Sequence, residues 1–536
     1  MSPSPRPERS LKRRTFLTLT TSAVAAGLAA CAATDDDGGG SSGTGQEAVV
    51  FHYGQTGFPS NDLTEGNGYG ALKIIRNVYE GLVSEVLGTY DEIGPALATE
   101  WETDDNQAWT FHLRENVTFT DGTPFNAEAV AWNVERSKEV GFGSAAYARL
   151  IDTVETPDDH TVVLTLHEPR ITFLQALAKI VIASPTAGQD NEVDGDYGQR
   201  WLDTNPVGTG PYVLQNFVAD QSYELVRNDD YWGGWQEGQI DVIEVIKADE
   251  NTAVQMLESG DIDKFDGPIG QYVERFSSNA ELTVLEAPGR QIDYLHFNTQ
   301  SYPTDNATFR QALSLAYDYA ADLEAAYYGF GTLPQGPLPV EFSGFDASLP
   351  VSSQDLDSAR ELLEESGVPE ADRTISITIM DGQTYQEAFA LVFQDSLKQI
   401  GVDVVINKTT WAELAEAVSS PETAPHGTYI WIGAATGDPV DFLAIFTSEH
   451  EGSDNYAHYS NPEFDQAIEE AAAASDIAAR DEAIARAQQI FVAEVPALVA
   501  AAPTVVEVIS TRFTGYVVHP IDTGYTIKFY ELRSAN

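Results

Sequence analysis

Few residues of this 536-residue chain have the types and spacing that chemistry requires. His450 and His458 stand eight positions apart with Glu451 beside the first, which matches no common metal-site spacing, so we interpret both as surface histidines. Residues 39–43 match G-x-S-x-G, but that pattern indicates a nucleophile only between a strand and a helix. The sequence therefore predicts no catalytic residue, no metal site and no cofactor. A hydrolase that uses two cleft carboxylates stays an alternative, because 83 acidic residues make any chosen pair uninformative.

Cys31 is the only cysteine, and it directly follows Leu28-Ala29-Ala30. This order is typical of a bacterial lipobox, in which diacylglycerol alkylates the thiol and the chain is cut before the cysteine. One acyl chain binds a membrane only marginally, whereas two chains, at about 0.8 kcal/mol per buried CH₂, make a stable anchor. We therefore expect Cys31 to be the lipid-modified first residue of the mature protein.

Residues 1–30 have the pattern of an export signal. Arg13 and Arg14 precede a modestly apolar stretch that ends at Ala30, as in signals of the twin-arginine type. This stretch is shorter than the roughly 20 residues that a membrane span needs. Residues 31–46 are rich in Gly, Ser and Asp, which predicts a disordered tether. These features predict a location in the cell envelope, on the extracytoplasmic face of the cell membrane.

The charge of the chain restricts its partners. It carries 29 basic and 83 acidic residues, a formal net charge of -54, and the first thirty residues contain five of the basic ones. A body so acidic is repelled by phosphate backbones, so we expect no nucleic-acid partner. The acidic residues are spread along the whole chain, which indicates a solvated surface rather than an acidic tail.

Hydrophobic periodicity predicts an α/β protein, because strand-like runs such as "TVVLTL" and "DVVIN" alternate with helical segments. One helix is predicted from a cap at Ser352 or Ser353 to a stop at Gly367. A second is predicted to end at Ile400, with a strand directly after it, as in half of a β-α-β unit. A third is predicted to begin at Pro462.

Ten segments, in order along the chain, resemble the solute-binding proteins of ABC importers in the peptide, nickel and opine family. The most distinctive runs from Trp109 and contains the "DGTPF" turn at residues 121–125. The others include "NVYEGLV" from Asn77, "GTGPYVL" from Gly208, "RNDDYWGG" from Arg227, "LESGDID" from Leu257, "LHFNTQ" from Leu295 and "YSNPEFDQAI" from Tyr459. Together the segments cover nearly the whole chain after the tether.

The resemblance implies a two-lobed fold of the periplasmic-binding-protein type II class, with an extra subdomain in the first lobe. The implied boundaries are 47–82, 205–293 and 508–536 for lobe I, 83–204 for the subdomain, and 294–507 for lobe II. Hinge crossings are expected near Asp293 and near 505–510. The implied activity is capture of a solute by lobe closure and its delivery to an ABC permease and its ATPase subunits, by a binding protein that we expect to be a monomer.

In peptide-binding relatives, a Trp of the second lobe is followed three positions later by an Asp that holds the α-ammonium of the ligand. Trp431 matches that Trp, but the third position on is Ala434. Dipeptide binders also use an Arg in the loop that corresponds to residues 380–386, which contains none here. Bidentate Arg recognition is hard to replace, so free dipeptides are disfavoured. An oligosaccharide, a longer peptide held by its backbone, and a nickel or other metal chelate stay open as ligands.

The resemblance places further candidate residues around the cleft. The predicted ligand-binding set is Trp431, Gly433, Ala434, Asp438, Glu65, Gly66, Tyr69 and Tyr147. We expect Arg310 to connect its helix to a neighbouring acidic side chain rather than to touch the ligand.

Overall fold

A computed structural model gives the fold, and it describes residues 48–56, 69–89, 91–141, 143–267, 270–433, 436–518 and 527–535. The predicted export signal, lipidation site and tether lie outside these residues, as do Glu65, Gly66 and Ala434. Residues 48–536 belong to one compact unit. None of the helices in the described ranges combines the length and apolarity needed to cross a bilayer.

The described strands are short, apart from one of 14 residues. They are β1 Val50–Gln55, β2 Val83–Glu85, β3 Ile93–Pro95, β4 Ala98–Glu102, β5 Ala108–Leu113, β6 Ile151–Asp158, β7 Thr161–Leu166, β8 Tyr212–Val218, β9 Ser222–Arg227, β10 Val242–Lys247, β11 Lys264–Phe265, β12 Leu282–Pro288, β13 Gln291–Phe297, β14 Gly331–Thr332, β15 Thr374–Met380, β16 Asp403–Thr409, β17 Gly427–Gly433, β18 Ala497–Ser510, β19 Phe513–Thr514 and β20 Arg533–Ser534.

The α-helices alternate with these strands. They are α1 Tyr69–Val78, α2 Ala127–Val140, α3 Ala145–Ala148, α4 Phe173–Leu177, α5 Pro185–Asp190, α6 Gln199–Leu202, α7 Glu250–Ser259, α8 Val273–Ser277, α9 Ala307–Ala316, α10 Tyr319–Tyr327, α11 Leu356–Glu365, α12 Thr384–Lys398, α13 Trp411–Ala417, α14 Pro439–Ala444, α15 Pro462–Ala472 and α16 Ile477–Glu494.

Within the described ranges, twelve strands form one mixed sheet whose two halves are joined by β18. The order is β16-β15-β17-β13-β18-β11-β1-β10-β9-β8, and β12 and β14 also pair with β18. The first part of β18 pairs with β13, and residues 504–510 pair with β12. The β13–β18 register shifts between Asp293 and Tyr294, as at a β-bulge, which bends the strands locally. One long strand therefore carries the chain from one half-sheet to the other.

A separate four-stranded antiparallel sheet, β4-β5-β7-β6, forms its own module with α2 packed against it. Its core contains Phe111, Val130 and Leu164, which are buried. Apolar side chains alternate along β5 and β7, so one face of the sheet packs inward and the other faces outward. This module has a hydrophobic core distinct from those of the two half-sheets.

The predicted helices form, with one difference at a cap. Pro462 begins α15 behind Asn461, whose side chain accepts the amide N–H groups of Glu463 and Phe464. Helix α12 and the parallel pair β15–β16 complete the predicted β-α-β unit. The prediction that Ser352 or Ser353 caps α11 is wrong. Asp355 directly precedes the helix, so its carboxylate reaches the first free amides.

Candidate functional site

Strand β13 begins where its antiparallel partner β17 ends, within one half-sheet. Trp431 of β17 lies opposite Asp293 of β13, and Gly433 lies opposite Gln291. Trp431 is partly exposed. A Cβ atom at position 433 would lie 3.0 Å from Cζ3 of the Trp431 indole, so the absence of a side chain lets the ring lie close to its own strand. The strand end therefore presents an aromatic surface beside bare backbone.

Asp293 lies beneath this strand end and is fully buried. The Gln291 amide donates to its Oδ1 atom at 2.8 Å, and the Tyr327 hydroxyl donates to Oδ2. Burial raises the pKa of Asp293 to about 6, although these two hydrogen bonds oppose the shift. The carboxyl group is thus fixed in the scaffold of β13.

The carboxyl ends of the parallel strands β1 and β11 carry a buried polar layer in the other half-sheet. Lys73 Nζ donates to Asp266 Oδ2 at 2.7 Å, and the Thr56 backbone N–H donates to Asp266 Oδ1 at 2.7 Å. Burial lowers the pKa of Lys73, and the charge of Asp266 opposes that shift. In open α/β sheets ligands bind outside the carboxyl ends of the strands, so this layer underlies a candidate binding surface.

A second buried ion pair stands next to this layer. Lys264 Nζ lies 3.3 Å from Glu507 Oε2, and the Tyr516 hydroxyl donates to the same carboxylate. The ammonium of Lys264 lies 5.0 Å from the centre of the Tyr516 ring, within cation–π range. Neither ion pair was predicted from the sequence, although a lysine on the buried face of the α1 pattern "ALKIIRNV" is a local signal of a buried partner.

The turn before α14 connects its half-sheet to the four-stranded module. Asp438 is buried and caps α14, since its Oδ1 accepts the N–H of Val440 at 3.0 Å. Its Oδ2 accepts a hydrogen bond from the Thr172 hydroxyl and lies 3.4 Å from Arg170 Nη2. Arg170 Nη2 also lies 2.7 Å from Asp441 Oδ1. The predicted ligand contact of Asp438 stays a prediction, and the structure assigns its carboxylate a capping and bridging role.

Tyr147 lies on α3 of the module, near the same turn. It packs partly against the module core, and burial raises its pKa to about 12, with a further contribution from the negative charge of Asp441. The fold therefore brings Tyr147 of the module close to the turn before α14, which belongs to a different sheet. Of the predicted ligand-binding residues Glu65, Gly66 and Tyr69, the structure describes the backbone of Tyr69, where α1 begins.

Two sequence-based expectations about polar residues are wrong. His458 is buried rather than on the surface, and its backbone is held in the interior by the Thr299 hydroxyl and the Gln300 side-chain amide, which donate to its carbonyl oxygen. Arg310 forms no ion pair with an acidic side chain of the described residues. It donates to the carbonyl oxygens of Val495, Thr304 and Glu494 at 2.8, 2.9 and 2.6 Å, and so satisfies two carbonyl groups at the C-terminal end of α16. Among the described residues, no three His, Cys, Asp or Glu side chains gather as a metal-ion site.

The sequence of this chain is similar to that of known proteins of one family. Residues 92–454 match the middle region of the bacterial extracellular solute-binding proteins of family 5. Heme-binding protein A of Haemophilus influenzae is 30% identical over 488 residues, which cover 87% of this chain and 88% of that protein. The dipeptide-binding protein of Escherichia coli is 29% identical over 494 residues, which cover 87% of this chain and 90% of that protein.

The fold agrees with the sequence comparison. The crystal structure of a dipeptide-binding protein from Pseudoalteromonas sp. SM9913 in complex with Met-Leu has a TM-score of 0.75 and is 25% identical, covering 90% of this chain and 100% of that one. This likeness confirms the predicted two-lobed fold of the periplasmic-binding-protein type. The family is one of solute-binding proteins rather than enzymes. The chain belongs to family 5 of the bacterial extracellular solute-binding proteins.

Proposed function

We propose that the protein captures a peptide-like solute between its lobes and delivers it to the permease of an ABC importer. The observation that carries the proposal is the family match, which contains both β13 and β17 and the strand end at Trp431 and Gly433. The names of the relatives at 29% and 30% identity, a dipeptide-binding and a heme-binding protein, support a solute of peptide or comparable size.

The peptide is held by its backbone and side chains rather than by charged termini. Ala434 stands where peptide-binding relatives have an Asp, and residues 380–386 contain no Arg. An indole beside bare backbone offers apolar area with neighbouring hydrogen-bonding groups, which suits an uncharged segment of chain. The same aromatic surface favours an oligosaccharide as the second candidate.

The lobes close by rotation about the segment where the two half-sheets meet. A Cβ atom at Gly289, between β12 and β13, would lie 2.4 Å from the carbonyl oxygen of Pro503 in β18. A glycine is therefore required for these two backbone segments to pass so close to each other. The bulge at Asp293 is next to this crossing. Such a pivot lets the lobes rotate about a few residues, and a ligand shifts the equilibrium by as much as it prefers the closed form.

Lipid on Cys31 tethers the protein to the extracytoplasmic face of the cell membrane, and residues 31–46 let the folded body reach the permease. The protein acts as a monomer in this scheme. The ATPase subunits of the importer supply the energy, so the binding protein itself needs no catalytic residue.

A thermal-shift screen tests the proposal. The purified protein is mixed with tetrapeptides, dipeptides, oligosaccharides or hemin, and the Trp431→Ala variant is the matched control. A ligand present at 100 times its Kd stabilises the fold by about 2.7 kcal/mol, so a tetrapeptide raises Tm in the wild type and raises it less in the variant. If only hemin or only oligosaccharides raise Tm, the peptide proposal is wrong. Release of product from any of these compounds would favour the hydrolase alternative.

A further inference from the structure

The contact between the four-stranded module and the α14 turn is made by charged and polar side chains. Arg170 follows β7 of the module, and its guanidinium meets Asp441 at 2.7 Å and Asp438 at 3.4 Å. The Thr172 hydroxyl donates to Asp438. These contacts join residues 266 to 271 positions apart in the chain, and they connect two sheets that have separate cores.

Each of the two carboxylates also accepts a hydrogen bond from within its own turn. Asp438 is fixed as the cap of α14, and Asp441 accepts a 2.7 Å hydrogen bond from the Thr436 hydroxyl. Burial and the neighbouring Asp438 raise the pKa of Asp441, while the positive charge of Arg170 lowers it. The arginine therefore compensates two acidic groups that repel each other, and separation of the module from α14 would leave them uncompensated.

An open groove borders this contact. It has a volume of about 460 Å³ and lies between the module, including Arg149, His167 and Arg170, and the C-terminal part of α15 at Glu469 and Ala472. The Arg170 and Asp441 side chains keep 22% and 35% of their surface exposed, so water and salt reach them. The ion pairs of Arg170 with Asp438 and Asp441 span this border.

We propose that Arg170, Thr172, Asp438 and Asp441 form a closure latch, which stabilises the closed arrangement of the lobes before any ligand binds and slows ligand release. The effect of the latch on lobe closure does not depend on the identity of the ligand, whereas its effect on ligand release rests on the proposed solute-binding function. Opening breaks the latch, so the latch sets how often the closed form opens. It acts by positioning the lobes and need not touch the solute.

Interlobe distance, measured by fluorescence energy transfer, tests the latch without a ligand. Replacement of Cys31 by Ser removes the natural thiol, and dyes are placed at Asp104→Cys on the module and Glu361→Cys on α11, both exposed positions. Contacting charged pairs couple by about 0.5–3 kcal/mol, so Arg170→Gln should lower the closed-to-open ratio about tenfold. The matched control is Arg149→Gln, which removes an equal charge from the same groove and should leave the ratio unchanged.

Three further measurements make the test specific. The Arg170→Asp, Asp441→Arg double variant should recover part of the closed population that Arg170→Gln loses. Raising NaCl from about 0.1 to 1 M shortens the screening length from about 10 to 3 Å, so it should open the wild type and leave Arg170→Gln nearly unaffected. Thr172→Val removes one hydroxyl and should give a smaller shift in the same direction, which keeps the test valid if Arg170→Gln fails to fold.

The release rate of a ligand found by the thermal-shift screen tests the second part. We expect it to rise about tenfold in Arg170→Gln, because release requires opening. The latch is refuted if Arg170→Gln and Arg149→Gln have the same closed-to-open ratio. If the ratio changes but no solute binds, the latch stands and the proposed function fails.

Discussion

Replacing Asp322 by Asn tests how a buried carboxyl group makes stability depend on pH. Asp322 lies on α10 with a fully buried side chain. Burial raises its pKa from the usual 3.8 to about 7; the charge of Asp293 adds to the shift, and the Tyr317 hydroxyl opposes it. Asparagine has nearly the same shape and stays neutral, so it mimics the protonated carboxyl group at every pH.

The sign and size of the change in stability follow from the pKa values of Asp322 in the unfolded and the folded protein. Because the folded pKa is the higher one, the stability that the neutral carboxyl contributes is fully present below about pH 4 and is lost as the pH rises through 7. At about 1.36 kcal/mol per pKa unit, Asp322 lowers the free energy of unfolding by about 2–3 kcal/mol between pH 5 and pH 8. Asp293, with a pKa of about 6, changes stability in the same direction.

Urea unfolding followed by circular dichroism measures the effect. At pH 8, Asp322→Asn should be about 2–3 kcal/mol more stable relative to the wild type than it is at pH 5. Asp104→Asn, at an exposed position, makes the same change in net charge and should stay within about 0.5 kcal/mol of the wild type. If Asp322→Asn differs from the wild type by the same amount at both pH values, the reasoning about burial is refuted.

Two further predictions concern Arg310 and Cys31. Arg310→Gln leaves three carbonyl oxygens near the end of α16 without their donor, so its free energy of unfolding should fall by about 2–4 kcal/mol. Arg310→Lys should restore part of the loss in the same urea titration, and a variant as stable as the wild type would contradict this role. Cys31→Ser should move the protein from the membrane fraction to the soluble fraction with an unchanged Tm. Retention in the membrane fraction would argue against the lipid anchor.

Local patterns allowed several elements to be predicted from the sequence. A proline after Asn461 marks the start of α15, and the apolar spacing that ends near Gly401 marks the change from α12 to β16. These signals act within a few residues of chain. The cap of α11 was misplaced because several polar residues precede the helix and the structure uses the nearest, Asp355.

The polar contacts of the site could not be predicted in the same way. Lys73 and Asp266 are 193 positions apart, and Arg170 and Asp441 are 271 positions apart, so no local pattern connects them. Arg310 binds carbonyl oxygens, which every residue has, so its partners leave no trace in the sequence. The ordered family segments supplied the fold that brings such residues together.

Binding of one tetrapeptide with a free and with an acetylated N-terminus tests the proposed function most directly. Because Ala434 cannot hold an α-ammonium, isothermal titration calorimetry should give Kd values for the two forms that agree within about threefold. Ala434→Asp should favour the free N-terminus by tenfold or more, about 1.4 kcal/mol. Binding of neither form, or a wild-type preference of tenfold or more for the free N-terminus, would contradict the account.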